Sequence, residues 1–464
     1  MNTVKQVKLK TLALAMAGAS MAMPALADEF HYRDILVGDR AAGLGGAYTA
    51  ISDDASGLYY NPAGIVYSTS TKISGSVNAF NFKNTTYSGI SDSNPNQKWT
   101  RTSSGMVANF FGVIQPLGAG VAGFSIAIPN YDLEDQSDSF THLQSAKRLQ
   151  NTDEVGTELG VNRTLGEANQ FAALEQNAIR NQEIDYNNAD TTTLAGISYA
   201  FPVSEQLSVG MTLYGYMRKK ESTLKQISII EGRDIDDAPV FLKDSYYQKV
   251  QTDELGIQPR LGLMWSPIER VSIGMMIQTT IMLSESPDTR LDQTLCTGTQ
   301  CYTLEGSNFV ALDTNAHQHT DIGLNETTKN KLPTEVNLGL AYFPSNALLL
   351  TGDFSYATST DRYAATWNLA GGAEYFLNPT WAVRGGLYTN NANTESNVSV
   401  HGDPHINEIG SSFSVTRYTK TSNITVGLGY LGGTGTANLF GSSSHTQEIK
   451  TFGMNLYVST SGSF

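Results

Sequence analysis

Short segments in which apolar and polar side chains alternate recur along the chain, and they limit its fold more than any other feature. Leu255, Leu261 and Trp265 fall on one face of an extended chain, while Glu254 and Arg260 fall on the other. The same alternation occurs in residues 335–342, 367–375 and 451–458. A repeat of two residues is typical of a β-strand with one apolar side, so the chain is predicted to be all-β.

The composition indicates which kind of protein contains these strands. Charged residues make up 16% of the chain, Gly (43) and Tyr (22) are abundant, and the mean hydropathy is −0.23. After residue 27 no apolar run reaches the roughly 18 residues of a membrane-spanning helix, which excludes a helical membrane protein. The face opposite the apolar one is mostly small or polar, as in the lumen of a barrel. We therefore predict a transmembrane antiparallel β-barrel.

The connections between the predicted strands are of two kinds. Short ones combine an aromatic residue at the strand end with a proline, as in Phe201-Pro202 and Phe343-Pro344. Long ones are predicted at 129–190, 221–249, 285–332 and 391–416. Short turns on one side, long loops on the other and aromatic residues at strand ends are typical of outer-membrane barrels, and an even count of about 14 strands puts both termini in the periplasm.

The sequence also predicts three local features: the last three strands, a bulge and a helix. The last three strands are predicted at 420–431, 435–442 and 446–458. Pro259 lies within a strand pattern, where proline removes a donor, and it therefore predicts a β-bulge. A helix is predicted around residues 166–180, within the first long loop.

The chain begins with the three parts of a secretory signal. Lys5, Lys8 and Lys10 precede an apolar stretch that ends near Met23, and Ala25-Leu26-Ala27 resembles a cleavage site. We predict a signal peptide over 1–27; the alternative, a membrane anchor, has too short an apolar run. Cleavage leaves 30 − 3 = 27 basic against 44 acidic residues, a net charge of −17, which argues against a nucleic-acid partner.

Residues 28–71 precede the first strand and do not alternate. They are rich in small residues and tyrosine, and a segment this short cannot build its own core. A barrel of this size has a wide lumen, so we predict that the segment lies inside it as a plug, ahead of a barrel over 72–464. A periplasmic tail is the alternative.

Part of this segment resembles the FadL family, outer-membrane transporters of long-chain fatty acids and aromatic hydrocarbons. The similar stretches are Arg40-Ala41-Ala42-Gly43-Leu44-Gly45, Asp53-Asp54-Ala55 and Asn61-Pro62-Ala63-Gly64. The resemblance implies a fourteen-stranded barrel closed by an N-terminal hatch, with ligand held in the lumen and released through a side opening. The hatch motif then comprises Arg40, Gly43, Gly45, Asp53, Asp54, Asn61, Pro62 and Ala63.

Several charged residues lie on the predicted lumen face. A lysine or arginine facing lipid at mid-depth costs roughly 2–4 kcal/mol, which favours an inward orientation. The charges either form ion pairs that brace the wall or dock the plug, with Arg260 or Arg384 meeting Asp53 or Asp54. The predicted lumen charges are Glu254, Arg260, Glu335, Asp353, Glu374 and Arg384.

Apolar residues also occur in the predicted outer loops. They either pack into a loop core or form a groove that captures an apolar ligand. The candidates for ligand capture are Ile229, Ile230, Phe241, Leu242 and Phe309.

Cys296 and Cys301 lie close together in a polar segment of an exported chain. We predict a disulfide, with metal binding as the weaker alternative. His317 and His319 are interpreted as solvated loop residues rather than metal ligands. No Ser–His pair is placed for esterase chemistry, so we predict neither an enzyme nor a cofactor.

The first functional hypothesis is passive uptake of small hydrophobic molecules, such as long-chain fatty acids or aromatic hydrocarbons, across the bacterial outer membrane. The alternative is a structural or secretion-associated barrel that holds a partner protein. A general porin is disfavoured because a plug blocks free diffusion. The expected surroundings are outer-membrane lipid and lipopolysaccharide, with the protein as a monomer.

Overall fold

The computed structural model describes residues 31–32, 35–89, 98–141, 178–233, 239–297, 300–305, 308–311, 331–361, 363–394, 404–437 and 447–464. They form a closed antiparallel barrel of 14 strand positions, as predicted. The predicted signal peptide, 1–27, lies outside the described residues, and so does most of the predicted helix at 166–180, whose last residues are strand.

The strand bounds are β1 Lys72–Ser88, β2 Lys98–Leu117, β3 Gly120–Thr141, β4 Ala178–Pro202, β5 Leu207–Arg233, β6 Pro239–Ile268, β7 Val271–Gln278, β8 Ile281–Thr297, β9 Gln300–Glu305, β10 Asn308–Ala311, β11 Glu335–Ser345, β12 Leu348–Ala357, β13 Thr366–Asn378, β14 Trp381–Asn390, β15 His405–Tyr418, β16 Ser422–Ala437 and β17 Gln447–Ser463. β1 pairs with both β2 and β17, which closes the ring. β7 and β8 both pair with β6 and occupy one position, while β9 and β10 form a hairpin beyond β8.

The predicted alternation is confirmed along the wall. Leu261 is 53% exposed and Trp265 is 44% exposed on the outer face, whereas Arg260 is 2% exposed and Met264 is 1% exposed on the inner face. The outward side chains form an apolar surface that only lipid can cover favourably. The short turns are also where the sequence placed them, for example between Pro202 and Leu207.

The long connections were wrong in extent, because much of each one is strand. β5 has 27 residues and β6 has 30, and they pair with each other along their whole length. About ten residues are enough to cross the membrane, so these hairpins project well beyond it. Outside the membrane both faces of a strand meet water. The alternation that reveals a membrane strand is therefore lost there.

Two errors in the predicted strands offset each other at the C-terminal end, so the predicted number of strands is unaffected. The predicted loop 391–416 contains most of β15, and the strands predicted at 420–431 and 435–442 are largely one strand, β16. Glycine pairs near Gly432 resemble a turn in the sequence. In the structure Gly433 and Gly435 lie against Glu408 and His405 of the neighbouring strand, where the missing side chains permit close approach. The strand count was therefore right for a partly wrong reason.

The bulge predicted at Pro259 lies on the neighbouring strand instead. The register of β6 with β5 is continuous through Pro259, but β7 ends at Gln278 and β8 begins at Ile281. The break faces Pro259, whose carbonyl accepts a hydrogen bond from the Thr279 amide at 3.4 Å. Proline cannot donate to its neighbour, so the partner strand is interrupted there.

The N-terminal segment contains helix α1 (Arg40–Gly43), helix α2 (Gly57–Tyr60) and a 3₁₀ helix (Pro62–Tyr67). Its residues contact inward-facing positions on strands around the ring, from Gly112 and Gly210 to Gly274, Gly339 and Gly386. Its apolar side chains form half of the main buried cluster. The segment is therefore enclosed by the barrel, at the end where the turns are short.

Candidate functional site

The wall facing the N-terminal segment is built from glycine and small hydroxyl residues. A Cβ atom on Gly262 would collide with the Asn61 side chain, and one on Gly210 would lie 2.5 Å from the Pro62 carbonyl carbon. Ser208 donates a hydrogen bond to the Ala63 carbonyl at 2.9 Å. The small wall residues thus leave room for the segment and satisfy its backbone.

Asn61 connects three parts of this region. Its amide donates to the Thr49 carbonyl at 2.8 Å and to the Leu263 carbonyl of β6 at 3.0 Å. Its side-chain oxygen accepts from the Ala63 amide at 3.1 Å and so caps the 3₁₀ helix, which begins with Pro62. A side chain of the same shape that lacks either the amide donor or the carbonyl oxygen cannot make all three hydrogen bonds.

Arg40 joins the segment to the wall. Its Nε and Nη2 donate to the two carboxylate oxygens of Glu374 on β13, at 2.8 and 2.7 Å, and Nη1 donates to Asp53 at 2.9 Å. Arg384 on β14 donates to Glu374 at 2.5 Å. Burial alone would lower the pKa of Arg40, but Asp53 and Glu374 raise it well above its usual value, so the guanidinium stays charged.

The charges therefore dock the segment, but not through the pairs that the sequence suggested. Asp53 is bound by Arg40 and Tyr48 of its own segment, not by Arg260 or Arg384. Arg260 donates to the Tyr59 carbonyl. The shortest ion pair with the wall is that of Arg40 with Glu374, at 2.7 Å, which reverses the expected polarity. A wall arginine also approaches the segment, since Arg384 lies 3.9 Å from Asp39.

A second wall carboxylate binds the segment's backbone. Asp353 on β12 accepts hydrogen bonds from the amides of Tyr48 and Thr49, at 3.0 and 2.9 Å. Thr351, on the same strand, donates to the Ala47 carbonyl at 3.1 Å. Hydrogen bonds from backbone amides to a buried carboxylate are among the stronger ones in proteins, so this contact fixes the middle of the segment.

Above the segment lies a cavity of about 90 Å³. Tyrosine rings and polar side chains from β3 to β7 and β11 line it, together with Tyr59 and Tyr60 of helix α2. Its wall is braced by Arg218 on β5, which binds both carboxylate oxygens of Asp190 on β4 and lies 3.8 Å from Glu254 on β6. Tyr216 also donates to Glu254 at 3.1 Å.

The wall beside the cavity is not fully paired. β2 and β3 pair only from Phe110 and Ala127 down to their turn, although β2 starts at Lys98 and β3 continues to Thr141. Above that level a few side-chain contacts replace the ladder, such as the hydrogen bond from Tyr131 to the Met106 carbonyl at 3.2 Å. Proline at position 129 lacks the amide that a ladder requires.

Ile35 of the N-terminal segment covers this unpaired stretch. It packs with Val107 of β2 and with Ile128 and Tyr131 of β3, and its amide donates to the Pro129 carbonyl at 3.2 Å. The segment thus fills the short-turn end of the lumen and also reaches the side of the wall.

A family model described as "Outer membrane protein transport protein (OMPP1/FadL/TodX)" matches residues 18–439. The chain belongs to this family. The family match places the barrel in the outer membrane. The enclosed segment, described over residues 31–32 and 35–71, is called the hatch. No curated protein sequence matches the chain at a significant level.

Solved structures of low sequence identity share this fold. The toluene transporter TodX of Pseudomonas putida is 13% identical, with a TM-score of 0.53 over 92% of this chain and 98% of that one. The toluene transporter TbuX of Ralstonia pickettii is 13% identical, with a TM-score of 0.51 over 92% and 98%. A FadL homologue of Pseudomonas aeruginosa is 10% identical, with a TM-score of 0.51 over 94% and 100%.

The hatch motif of this FadL-family chain is packed as one unit. Gly43 and Gly45 approach β14 and β15 closely, and Gly45 has a φ of +67°, which other residues rarely adopt. Asp54 accepts hydrogen bonds from the Ser56 amide and hydroxyl, at 2.8 and 2.5 Å. Burial and the neighbouring Asp53 raise the pKa of Asp54, although the Ser56 hydroxyl opposes this shift.

The predicted capture residues lie in strands rather than loops. Ile229 and Ile230 are in β5, Phe241 and Leu242 in β6, and Phe309 in β10. Of these, only Ile229 has a described side chain, which is partly buried. The role of this group in capture stays a prediction.

Cys296 is disulfide-bonded and stands opposite Cys301 in the β8–β9 register. His317 and His319 lie outside the described residues. Within the parts of the chain that are described, there is no cluster of His, Cys, Asp and Glu suited to a metal, and no helix long and apolar enough to cross a membrane.

The sequence patterns did not identify most of the residues that line or brace the cavity. Arg218, Tyr216 and Asp190 were not singled out. Tyr216 and Arg218 nevertheless alternate along β5 with Tyr214, a fully buried residue that faces the lumen. The same parity rule that identified Glu254 and Arg260 would have found them. Asn130 and Gln278 were missed because one was placed in a predicted loop and the other has no charge to draw attention.

Proposed function

We propose that this protein takes up small hydrophobic molecules passively across the outer membrane. The observation that carries the proposal is the cavity above the hatch, which lies beside the stretch where β2 and β3 are unpaired. The hatch fills the short-turn end, so a molecule in the cavity has its shortest exit sideways. That two of the structural relatives are toluene transporters supports the same role.

The proposed route begins at the long hairpins and passes through the cavity to the unpaired stretch. Ile35 covers that stretch with apolar contacts and one backbone hydrogen bond. Such a contact is weaker than the backbone ladders that join β1 to β2 and β3 to β4 at the same level. This stretch can therefore open more easily than those two neighbouring seams. Passage then requires displacement of Ile35 rather than removal of the hatch.

The orientation and surroundings belong to this proposal. We infer that the short-turn end faces the periplasm, that residues 28–71 act as the hatch, and that a monomer is the working form in lipid and lipopolysaccharide. A protease site inserted near Asp313 should be cut on intact cells. One near Ser345 should be protected until the outer membrane is permeabilised, and the opposite pattern overturns the orientation.

The test of the exit uses Ile35→Trp, which enlarges the side chain that covers the unpaired stretch. Uptake of radiolabelled toluene into proteoliposomes should fall about tenfold or more, because the larger side chain makes more apolar contact with β2 and β3 and is harder to displace. Ile268→Trp is the matched control, since Ile268 is exposed near a short turn. Equal uptake by both variants contradicts the side exit, and no uptake by the wild-type barrel contradicts transport itself.

The alternative role, holding a partner protein, is favoured by the long paired hairpins of β5 and β6, which project beyond the membrane. Removing residues 224–247 shortens both strands and spares the cavity. Transport predicts retained toluene uptake after this deletion. A scaffolding role predicts that uptake never exceeds that of empty liposomes, whichever variant is used.

A further inference from the structure

The cavity above the hatch is small. Its volume of about 90 Å³ is below that of the engineered cavity of about 150 Å³ that accommodates benzene in another protein. It therefore suits a single ring after slight adjustment, and it can hold only a short part of a long acyl chain. Size alone favours a compact ligand.

Aromatic side chains line much of the cavity. Tyr59 and Tyr60 meet edge-to-face with centroids 5.1 Å apart, and Tyr32 and Tyr363 meet in the same way at 6.1 Å. Rings prefer such edge and offset contacts with other rings. The walls therefore favour an aromatic ligand over an aliphatic one of equal size.

Polar groups on the cavity wall lack partners. The Gln278 Oε1 atom on β7 and the Asn130 Oδ1 atom on β3 are buried and accept no hydrogen bond within the described residues. Gln278 is only 7% exposed. It stands in register with Glu335 of β11, whose carboxylate lines the same cavity and can only accept. The buried Tyr32 hydroxyl lines the same cavity and can donate as well as accept. A buried acceptor without a donor is unfavourable, so the Gln278 and Asn130 oxygens call for a ligand that donates, and Tyr32 can pair with the oxygen of that ligand.

The arginines on the cavity wall are already engaged. In Arg260, Nε and Nη2 donate to Gln258, and Nη1 donates to the Tyr59 carbonyl. In Arg218, Nε and Nη2 bind Asp190 and Nη1 faces Glu254. These two cations are balanced by Asp190, Glu254 and Glu335. Among the described residues of the lining, a ligand carboxylate would therefore find no arginine or lysine that is not already paired.

We propose that the cavity selects a single aromatic ring that carries an uncharged hydrogen-bond donor, such as a phenol. This inference rests on the proposed uptake function and names its substrate class. The ring packs among the tyrosines, and its hydroxyl donates to Gln278, Asn130 or Glu335. An unsubstituted hydrocarbon leaves those acceptors unpaired, and a carboxylate of the same size adds repulsion from Glu335.

The test compares three ligands of matched shape on the full-length barrel in detergent: p-cresol, toluene and p-toluate. Isothermal titration calorimetry should show p-cresol binding about tenfold tighter than toluene, the effect of one net hydrogen bond. p-Toluate should bind weakest. Toluene uptake into proteoliposomes is measured in parallel, so that loss of transport and loss of this selectivity are separate results.

The decisive variant is Gln278→Leu, which keeps a similar volume and removes the amide. The ratio of p-cresol to toluene affinity should fall toward one, with toluene affinity unchanged or higher. Asn130→Ala serves as a second variant if the first does not fold. Gln206→Leu is the matched control, because Gln206 is exposed in a short turn far from the cavity.

Each possible result of the binding and uptake measurements overturns a different claim. Toluene binding equal to or tighter than p-cresol in the wild-type barrel overturns the inference and leaves uptake standing. Tightest binding of p-toluate, or of benzylammonium used as a competitor, overturns it in favour of a charged ligand. A wild-type preference that survives both Gln278→Leu and Asn130→Ala also overturns the assignment. Absence of both binding and uptake contradicts the proposed function itself.

Discussion

At the short-turn end of the lumen, arginine–carboxylate contacts join the hatch to the wall, whereas around the cavity they join wall strands to one another. Arg40 reaches Glu374 across more than 300 positions of sequence, while Arg218 binds Asp190 on the adjacent strand. The same chemistry therefore has two structural consequences. In the first region it holds a separate segment in place, and in the second it sets the shape of the wall.

The strongest test of this difference removes the hatch. Deleting residues 30–60 should leave the barrel inserted, because β1 pairs with β2 and β17 without them. Conductance in planar bilayers should rise from near zero to a steady open pore. An open pore in the full-length protein, or an unchanged conductance after deletion, would show that the hatch does not close the lumen.

The next test breaks the hatch contact and keeps the chain. Glu374→Gln leaves Arg40 and Arg384 without their shared carboxylate, in a site where the Glu374 side chain is 1% exposed. Removing one partner of a buried pair costs roughly 3–5 kcal/mol, so transient channel openings should appear in single-channel recordings. Glu448→Gln is the control: its pair with Lys450 is over half exposed and is worth about 0–1 kcal/mol. Similar recordings from both variants would refute the docking role.

Arg218→Gln should have the opposite pattern of effects: ligand binding and thermal stability should suffer, while the channel stays closed. It removes the contacts among β4, β5 and β6, so ligand affinity and the melting temperature should fall. The hatch keeps its own contacts, so conductance should stay near zero. Lys249→Gln, which breaks a more exposed pair with Glu221 further out on the same strands, is the comparison. Channel opening in Arg218→Gln would mean that the two regions are not independent.

The smallest expected effect concerns pH. The docked hatch has a raised pKa at Asp54, so it binds a proton more tightly than the undocked segment does. This contribution to docking is therefore present at low pH and is lost as the pH rises through the docked pKa. Closed-state lifetimes should lengthen modestly as the pH is lowered from neutral toward the ordinary pKa of an aspartate, about 3.9. Asp54→Asn keeps the acceptor for Ser56 and should flatten the profile; an unchanged slope would exclude Asp54 as its source.

The sequence predicted those features that lipid imposes on a strand. The lipid-facing alternation around Leu261 fixed which residues face inward, and the cost of a charge in lipid correctly oriented Arg260 and Glu374. The sequence did not predict which residues these charged side chains contact, because an inward-facing side chain can meet any strand or the hatch. Arg40 was recognised only as part of a motif, not as the residue that carries the docking contact.

The cavity was harder to foresee for a physical reason. It combines Asn130, Gln278 and Glu335, which are far apart in sequence and come together only when the ring closes. The outer halves of β5 and β6 lie beyond the membrane, where water on both faces removes the alternating pattern. Periodicity in the sequence therefore does not show how long β5 and β6 are.

On the proposed route, a molecule that displaces Ile35 from between β2 and β3 leaves toward hydrocarbon rather than toward an aqueous compartment. A solute that leaves by this route must first dissolve in the bilayer, so its oil–water partition coefficient contributes to the flux. Ions and zwitterions face a large solvation penalty at the same place, whatever their size. A barrel that works by this route adds a filter by solubility to the selection made in its cavity. By that route the outer membrane would keep its ionic permeability barrier while apolar molecules cross it.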